Sequence, residues 1–152
     1  MNTYDLIIVG SGSGLMVLET ALSTGLRCAM IEQSKFGGTC LTKGCIPSKM
    51  LVHPADLIRE TQEAGRIGLP YAQPEPDWAK VAGRMWHQIR YSEKIERNLS
   101  QAQGLDVYKG TGEFTGPHTM IVRYTDGTQS EELTAERIVI AVGARSFVPS
   151  IQ

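Results

Sequence analysis

The first 32 residues narrow the fold of this chain more than any other stretch. Tyr4-Asp5-Leu6-Ile7-Ile8-Val9 is rich in branched apolar side chains without alternation, the pattern of a strand covered on both faces. It runs at once into Gly10-Ser11-Gly12-Ser13-Gly14. Leu15, Leu18, Ala21 and Leu22 then recur at spacings of three and four, one stripe of an amphipathic helix that Gly25 should close as a C-terminal cap. Cys28-Ala29-Met30-Ile31 repeats the buried-strand pattern and ends at Glu32. Strand, glycine turn, helix and strand make a complete β-α-β unit, and strands covered on both faces need layers above and below a parallel sheet. The expected class is α/β, with a doubly wound parallel sheet.

The rest of the chain supplies those layers. Residues 46–65 predict a helix with Pro47 in its first turn, a kink at Pro54, and Met50, Leu51, Leu57 and Ile58 on one face. Residues 70–76, Pro-Tyr-Ala-Gln-Pro-Glu-Pro, cannot continue it, and Asp77 is a good N-cap for a second helix reaching about Gln103. Val81, Met85, Ile89, Ile95 and Leu99 form the inner stripe of that helix. Residues 105–108 read as a strand, and 121–124 with 131–134 as a hairpin around Asp126-Gly127, a small β-meander. Residues 137–143 read as another buried strand ending in glycine.

Composition excludes several roles. A chain of 152 residues can bury a core without disulfide or metal staples, so stability does not explain its three cysteines. Fifteen basic and sixteen acidic residues, interspersed, leave a net charge of −1 and no field for nucleic acid or an anionic membrane. The longest apolar run near the start is residues 6–9, preceded by Asp5, which fits neither a leader peptide nor a membrane span. With cysteines placed for chemistry rather than scaffolding, the expected compartment is the reducing cytoplasm.

A glycine turn between a buried strand and a helix lets backbone approach a pyrophosphate, whose charge the helix N-terminal amides stabilise. Gly10 and Gly12 fill the first two places of G-x-G-x-x-G. The third falls on Leu15, while Gly14 stands one residue early, where it can relax the same helix start. Glu32 ends the second strand 22 positions after Gly10, where a carboxylate can accept bonds from the adenosine ribose hydroxyls. An acid there favours an unphosphorylated ribose. The plainer alternative is an ordinary glycine-rich turn with Glu32 solvated.

Gly37-Gly38-Thr39-Cys40-Leu41-Thr42-Lys43-Gly44-Cys45-Ile46-Pro47-Ser48-Lys49 holds two thiols five positions apart, a spacing that a helical turn or tight loop can bring within disulfide distance. Cys45 stands just before Pro47 at a predicted helix start, where the dipole favours a thiolate. A structural disulfide is out of place in a reducing compartment. A zinc half-site lacks its remaining ligands, because His53 and Cys28 are not at metal-ligand spacing, and no metal is expected. Cys28 reads as a small core hydrophobe, and His53, His87 and His118 as structural or surface residues.

Together these motifs resemble the pyridine nucleotide-disulphide oxidoreductases. The resemblance covers the chain in order: Gly10-x-Gly12, Glu32, the cysteine segment, and Val139-Ile140-Ala141-Val142-Gly143 as a second flavin signature. It implies a Rossmann-like FAD-binding domain over residues 1–145, with 146–152 beginning a linker to an NAD(P) domain. FAD would be held by Gly10, Gly12, Ser13 and Gly14, by Glu32, by Gly38 and Thr39, and by Ala141 and Gly143. Gly112 would contact the adenine side, and Lys49 would sit near the flavin N5. Cys40 and Cys45 would be the catalytic pair, Cys45 facing the flavin as the charge-transfer thiolate and Cys40 exchanging with substrate. Electrons would run between NAD(P)H, FAD, this pair and a small disulfide or dithiol.

Ile46-Pro47-Ser48-Lys49 resembles the dihydrolipoyl dehydrogenase branch, whereas the Gly-Ser-Gly-Ser-Gly-Leu turn and Lys49-Met50 resemble the mycothione reductase branch. A mercuric ion reductase is a further member of the set, and a non-catalytic flavin-binding module is the rival from another class. By the same resemblance the sheet is incomplete at its C-terminal end, the catalytic base lies outside this chain, the full-length protein is a homodimer, and this piece alone is inactive with weak hold on FAD.

Overall fold

The computed structural model describes residues 2–151. Strand β1 (Asn2–Val9), helix α1 (Gly14–Ser23) and strand β2 (Cys28–Ile31) form the expected β-α-β unit, with Leu6 to Val9 registered in parallel against Cys28 to Ile31. Four helices follow: α2 (Gly38–Thr42), α3 (Cys45–Ala64), α4 (Trp78–Ile89) and α5 (Tyr91–Ser100). The chain then forms β3 (Leu105–Tyr108), β4 (Thr111–Gly116), β5 (Thr119–Arg123) and β6 (Leu133–Ile140). The sheet order is β3-β2-β1-β6-β5-β4. Its first four strands are parallel neighbours, and β6-β5-β4 is an antiparallel meander.

Both faces of the parallel part are covered, as its apolar pattern requires. On one face Leu6, Ile8, Cys28 and Met30 pack with Leu18 and Ala21 of α1, with Phe36, and with Ile95 and Leu99 of α5. On the other, Ile7, Val9, Ala29 and Ile31 pack with Met120 and Val122 of β5 and Leu133 and Ala135 of β6. Tyr4 anchors this second layer, its hydroxyl 2.7 Å from both Asp106 Oδ2 and the Tyr108 hydroxyl. Burial, then the bonds to Tyr108 and Asp106, push its phenol pKa up.

Several sequence expectations need correction. The second long helix is two, meeting at Arg90, because α4 packs on α3 while α5 packs on β3, and one straight rod cannot do both. Helix α3 contains Pro54 within its span and buries Met50, Leu51 and Ile58 only partly, with Leu57 exposed. Strand β4 carries one large apolar residue, the exposed Phe114, and so gives no alternation to read. It pairs with β5, whose bounds start at Thr119. The expected turn at Asp126-Gly127 is present, closed by the Tyr124 amide on the Thr128 carbonyl, but 131–134 and 137–143 are not separate strands. They merge into β6, which ends at Ile140, and Ile140 is 64 % exposed rather than buried.

The pairing also leaves part of this strand without a second neighbour. Strand β5 reaches only Leu133 and Thr134, so beyond Ala135 the strand pairing of β6 is with β1 alone among the described residues. An apolar strand margin of this kind is a template for another strand. We expect sedimentation velocity on the 152-residue chain to show concentration-dependent association, as such margins do at roughly micromolar to millimolar protein. Ile140→Lys should suppress it with little change in melting temperature, since the side chain is already exposed. A wild-type chain that stays monomeric across that range would show the margin to be inert.

Candidate functional site

The parallel strands all end at one edge, and the chain leaves that edge through small residues. Gly10 follows β1, Glu32 follows β2, Gly110-Thr111-Gly112 follows β3, and Ala141-Val142-Gly143 follows β6. These segments line an open cleft of about 570 Å3, together with residues 37–40. The strand order reverses at β1, with β2 and β3 added on one side of it and β6 on the other, so the cleft lies at the switch point where open α/β sheets bind their ligands.

The glycines are where the backbone needs them. Gly10 has φ 102°, and a Cβ there would run into the Ala141 carbonyl. Gly38 has φ 69°, and its Cβ would lie 2.5 Å from the Gly12 Cα, so two backbone segments meet face to face. At Gly14 a Cβ would sit 2.7 Å from Ile8 Cγ2. Close approach of helix to strand is the task of the third glycine in the dinucleotide pattern, and Gly14 performs it one residue early. Gly12, Ser13 and Met16, at the start of α1, line the cleft, and no side chain caps that helix, so its positive end borders the cavity.

A polar relay fixes the floor. The Ser11 amide and hydroxyl donate to Glu32 Oε2 at 2.9 and 2.6 Å, and the Ser34 amide donates to Oε1 at 2.9 Å. The Gly37 amide in turn donates to Ser11 Oγ at 3.2 Å. Ser11 is fully buried. Three of the roughly four acceptor positions of the carboxylate are thus used by the protein, which leaves about one for a ligand hydroxyl.

Cys40 and Cys45 are disulfide-bonded, their Cα atoms 4.8 Å apart. Cys40 lies in α2 and Cys45 is the first residue of α3. Both are exposed. The Lys43-Gly44 turn between them is tight: a Cβ on Gly44 would lie 2.9 Å from the Thr39 carbonyl oxygen. Cys28, fully buried, is a core side chain as expected, and burial, with Asp5 nearby, raises its thiol pKa.

Of the residues singled out in the sequence, Gly10, Gly12, Ser13, Glu32, Gly38, Thr39, Cys40, Gly112, Ala141 and Gly143 line the cleft. Gly14 sits between helix and strand. Cys45 stands outside the cleft lining, and Lys49 lines a separate, smaller cavity between α3 and α4. His53, His87 and His118 are exposed. Sequence reasoning missed Ser11, whose only signal was a small hydroxyl residue between two required glycines. It also missed Lys35 and Lys43 on the cleft wall, which no spacing marks.

Comparison with known proteins agrees with this geometry. The profile of the pyridine nucleotide-disulphide oxidoreductases matches residues 4–152. Mycothione reductase of Mycobacterium tuberculosis is 37% identical over 98% of this chain and 32% of its own length. Dihydrolipoyl dehydrogenase of Bacillus subtilis is 34% identical over 93% of this chain and 32% of its own length. Among solved structures, the Cu(II) complex of the HOCl-induced flavoprotein disulfide reductase RclA from Escherichia coli superposes with a TM-score of 0.80. Its identity is 32%, over 99% of this chain and 31% of that one. The chain therefore spans about a third of the length of the relatives it matches, and its Rossmann-like fold is shared with RclA. These relatives are a reductase, a dehydrogenase and a flavoprotein disulfide reductase. By profile, by structure and by its cysteine segment, the chain belongs to the pyridine nucleotide-disulphide oxidoreductase family.

Proposed function

We propose that this chain is the FAD-binding part of an NAD(P)H-dependent enzyme that moves electrons to or from a small disulfide through Cys40 and Cys45. One observation carries the reading: the exposed disulfide begins in the wall of the same cleft that the glycine turn opens. The residues present fit a dinucleotide. Gly12 and Gly38 expose bare backbone at the start of α1, where a pyrophosphate would meet amides and a helix dipole. Glu32 retains an acceptor for ribose, and Gly112, Ala141 and Gly143 close the far wall without side-chain bulk. When bound, FAD supplies the two-electron chemistry that links a nicotinamide to a disulfide.

The chain's own part is thiol exchange. Cys45, at the uncapped start of the 20-residue α3, has its thiolate favoured by the helix dipole. In the reduced pair the Cys40 thiolate attacks a substrate disulfide, forming a mixed disulfide and releasing one substrate thiolate. Cys45 then attacks the Cys40 sulfur, closes the pair and releases the second thiolate, so the pair loses the two electrons that the substrate gains. The reverse sequence oxidises a dithiol. Ile46-Pro47-Ser48-Lys49 supports a dihydrolipoyl-type substrate, and the 37% identity to a mycothione reductase supports that disulfide as the second reading. The full-length protein in this reading is a cytoplasmic homodimer. No helix among the described residues is long and apolar enough to cross a membrane.

Three measurements test the reading. After mild reduction of the native chain, two thiols should react with a chromogenic disulfide and the third, Cys28, only on unfolding, since it is fully buried. In Cys40→Ser the alkylation midpoint of Cys45 should fall below the ordinary value of about 8.5. A midpoint at or above it would remove the activated thiolate. Gly12→Ala should keep the fold, because its Cβ meets Gly38 Cα at an ordinary 3.5 Å. Its FAD affinity should drop at least about tenfold, or about 1.4 kcal/mol. Undiminished FAD binding in that variant would place the pyrophosphate elsewhere.

A further inference from the structure

The second cavity, of about 290 Å3, lies between α3 and α4 and is lined by Lys49, Met50, His53, Pro54, Val81 and Arg84. Three of these six carry basic groups, three are apolar, and none is acidic. Among the described residues none of the three basic side chains forms an ion pair or hydrogen bond, although carboxylates are held by Arg27, Lys109 and Arg123 elsewhere on the surface. The cavity is also joined to the disulfide by helix geometry. Cys45, Lys49 and His53 stand at i, i+4 and i+8 of α3, hence on one face, with a rise of about 6 Å per step. Cys45 begins that row, Lys49 and His53 lead from it into the cavity, and Arg84 reaches the same space from α4.

We propose that this cavity is the anchoring site for a negatively charged group, a carboxylate, on the substrate of the Cys40–Cys45 pair, with His53 and Arg84 as specificity-determining residues. The inference rests on the reading of that pair as a redox couple and narrows its substrate to disulfides or dithiols that bear an acidic group a few bonds from sulfur. The apolar floor of Met50, Pro54 and Val81 takes the aliphatic segment that joins the two. The guanidinium offers a planar fork to the carboxylate, and the imidazole a further donor. Because the cavity is open, the attraction acts on capture of the substrate and weakens with salt.

The test uses the reduced 152-residue chain under argon and three aliphatic disulfides of similar size: dithiodipropionate, which is anionic, bis(2-hydroxyethyl) disulfide, which is neutral, and cystamine, which is cationic. Each reaction is one turnover, in which the dithiol closes to the Cys40–Cys45 disulfide and the reagent becomes two thiols. The anionic reagent should react fastest and the cationic one slowest. In the His53→Gln, Arg84→Gln double variant the anionic rate should fall about threefold to tenfold, the size of losing one or two exposed charge contacts, while the neutral rate stays within about twofold. The wild-type preference should also shrink in about 0.5 M salt, where the Debye length is only a few ångströms. An anionic rate equal to the neutral one, or a double variant that slows all three reagents alike, overturns the anchoring site while leaving the redox pair intact. Failure of all three reagents to react overturns the redox reading, and the inference with it.

Discussion

The site depends on one buried contact. Ser11 lies between two glycines that cannot be replaced without backbone collision or loss of the cradle, and its side chain joins Glu32 at the end of β2 to the Gly37 amide ahead of α2. Through that single hydroxyl the turn after β1, the acid after β2 and the entry to the cysteine segment are held as one body. Hydrogen bonds to a carboxylate contribute about 1.5–3 kcal/mol each, so the relay matches the largest local terms available to a cleft of loops. The Gly12–Gly38 approach completes the link, and it brings the segment carrying Cys40 against the start of α1. Dinucleotide turn and disulfide are adjacent because two glycines and one serine make them so.

Most of this was legible in the sequence where chemistry or backbone leaves few choices. The β1-α1-β2 unit was readable because apolar runs at Leu6 to Val9 and Cys28 to Ile31 flank a glycine turn, and both strands are buried in consequence. Gly10, Gly12 and Gly14 were readable from their backbone roles, Glu32 from its position after β2, and the Cys40–Cys45 pair from its spacing. What escaped depends on contacts distant in sequence. Nothing local announces that Ser11 faces Glu32, that Arg90 is where α4 gives way to α5, or that Lys49 opens toward Arg84 rather than into the dinucleotide cleft. Strand β4 escaped for the opposite reason: its side chains stay mostly in solvent, so burial writes no pattern in them.

In the proposed reading the two cavities divide the work, and helix α3 links them. Helix α3 starts at the disulfide, and its positive end favours a thiolate at Cys45. The same helix carries Lys49 and His53 away from the cleft. In the proposed reading electrons would arrive from the flavin held in the cleft, and an acidic substrate from the α3–α4 side to meet Cys40. A disulfide placed in the seam between the two needs no moving part to serve both.

Direct titration of FAD tests most simply whether the cleft is a dinucleotide cradle built by this chain's own residues. Followed by flavin fluorescence, FAD added to the 152-residue chain should bind saturably at one per chain, and ADP should displace it, because Glu32 and the glycine turn engage the adenosine and pyrophosphate half. The binding should be weaker than a complete two-sided site would give. No saturable binding, or binding that ADP leaves untouched, would contradict the account.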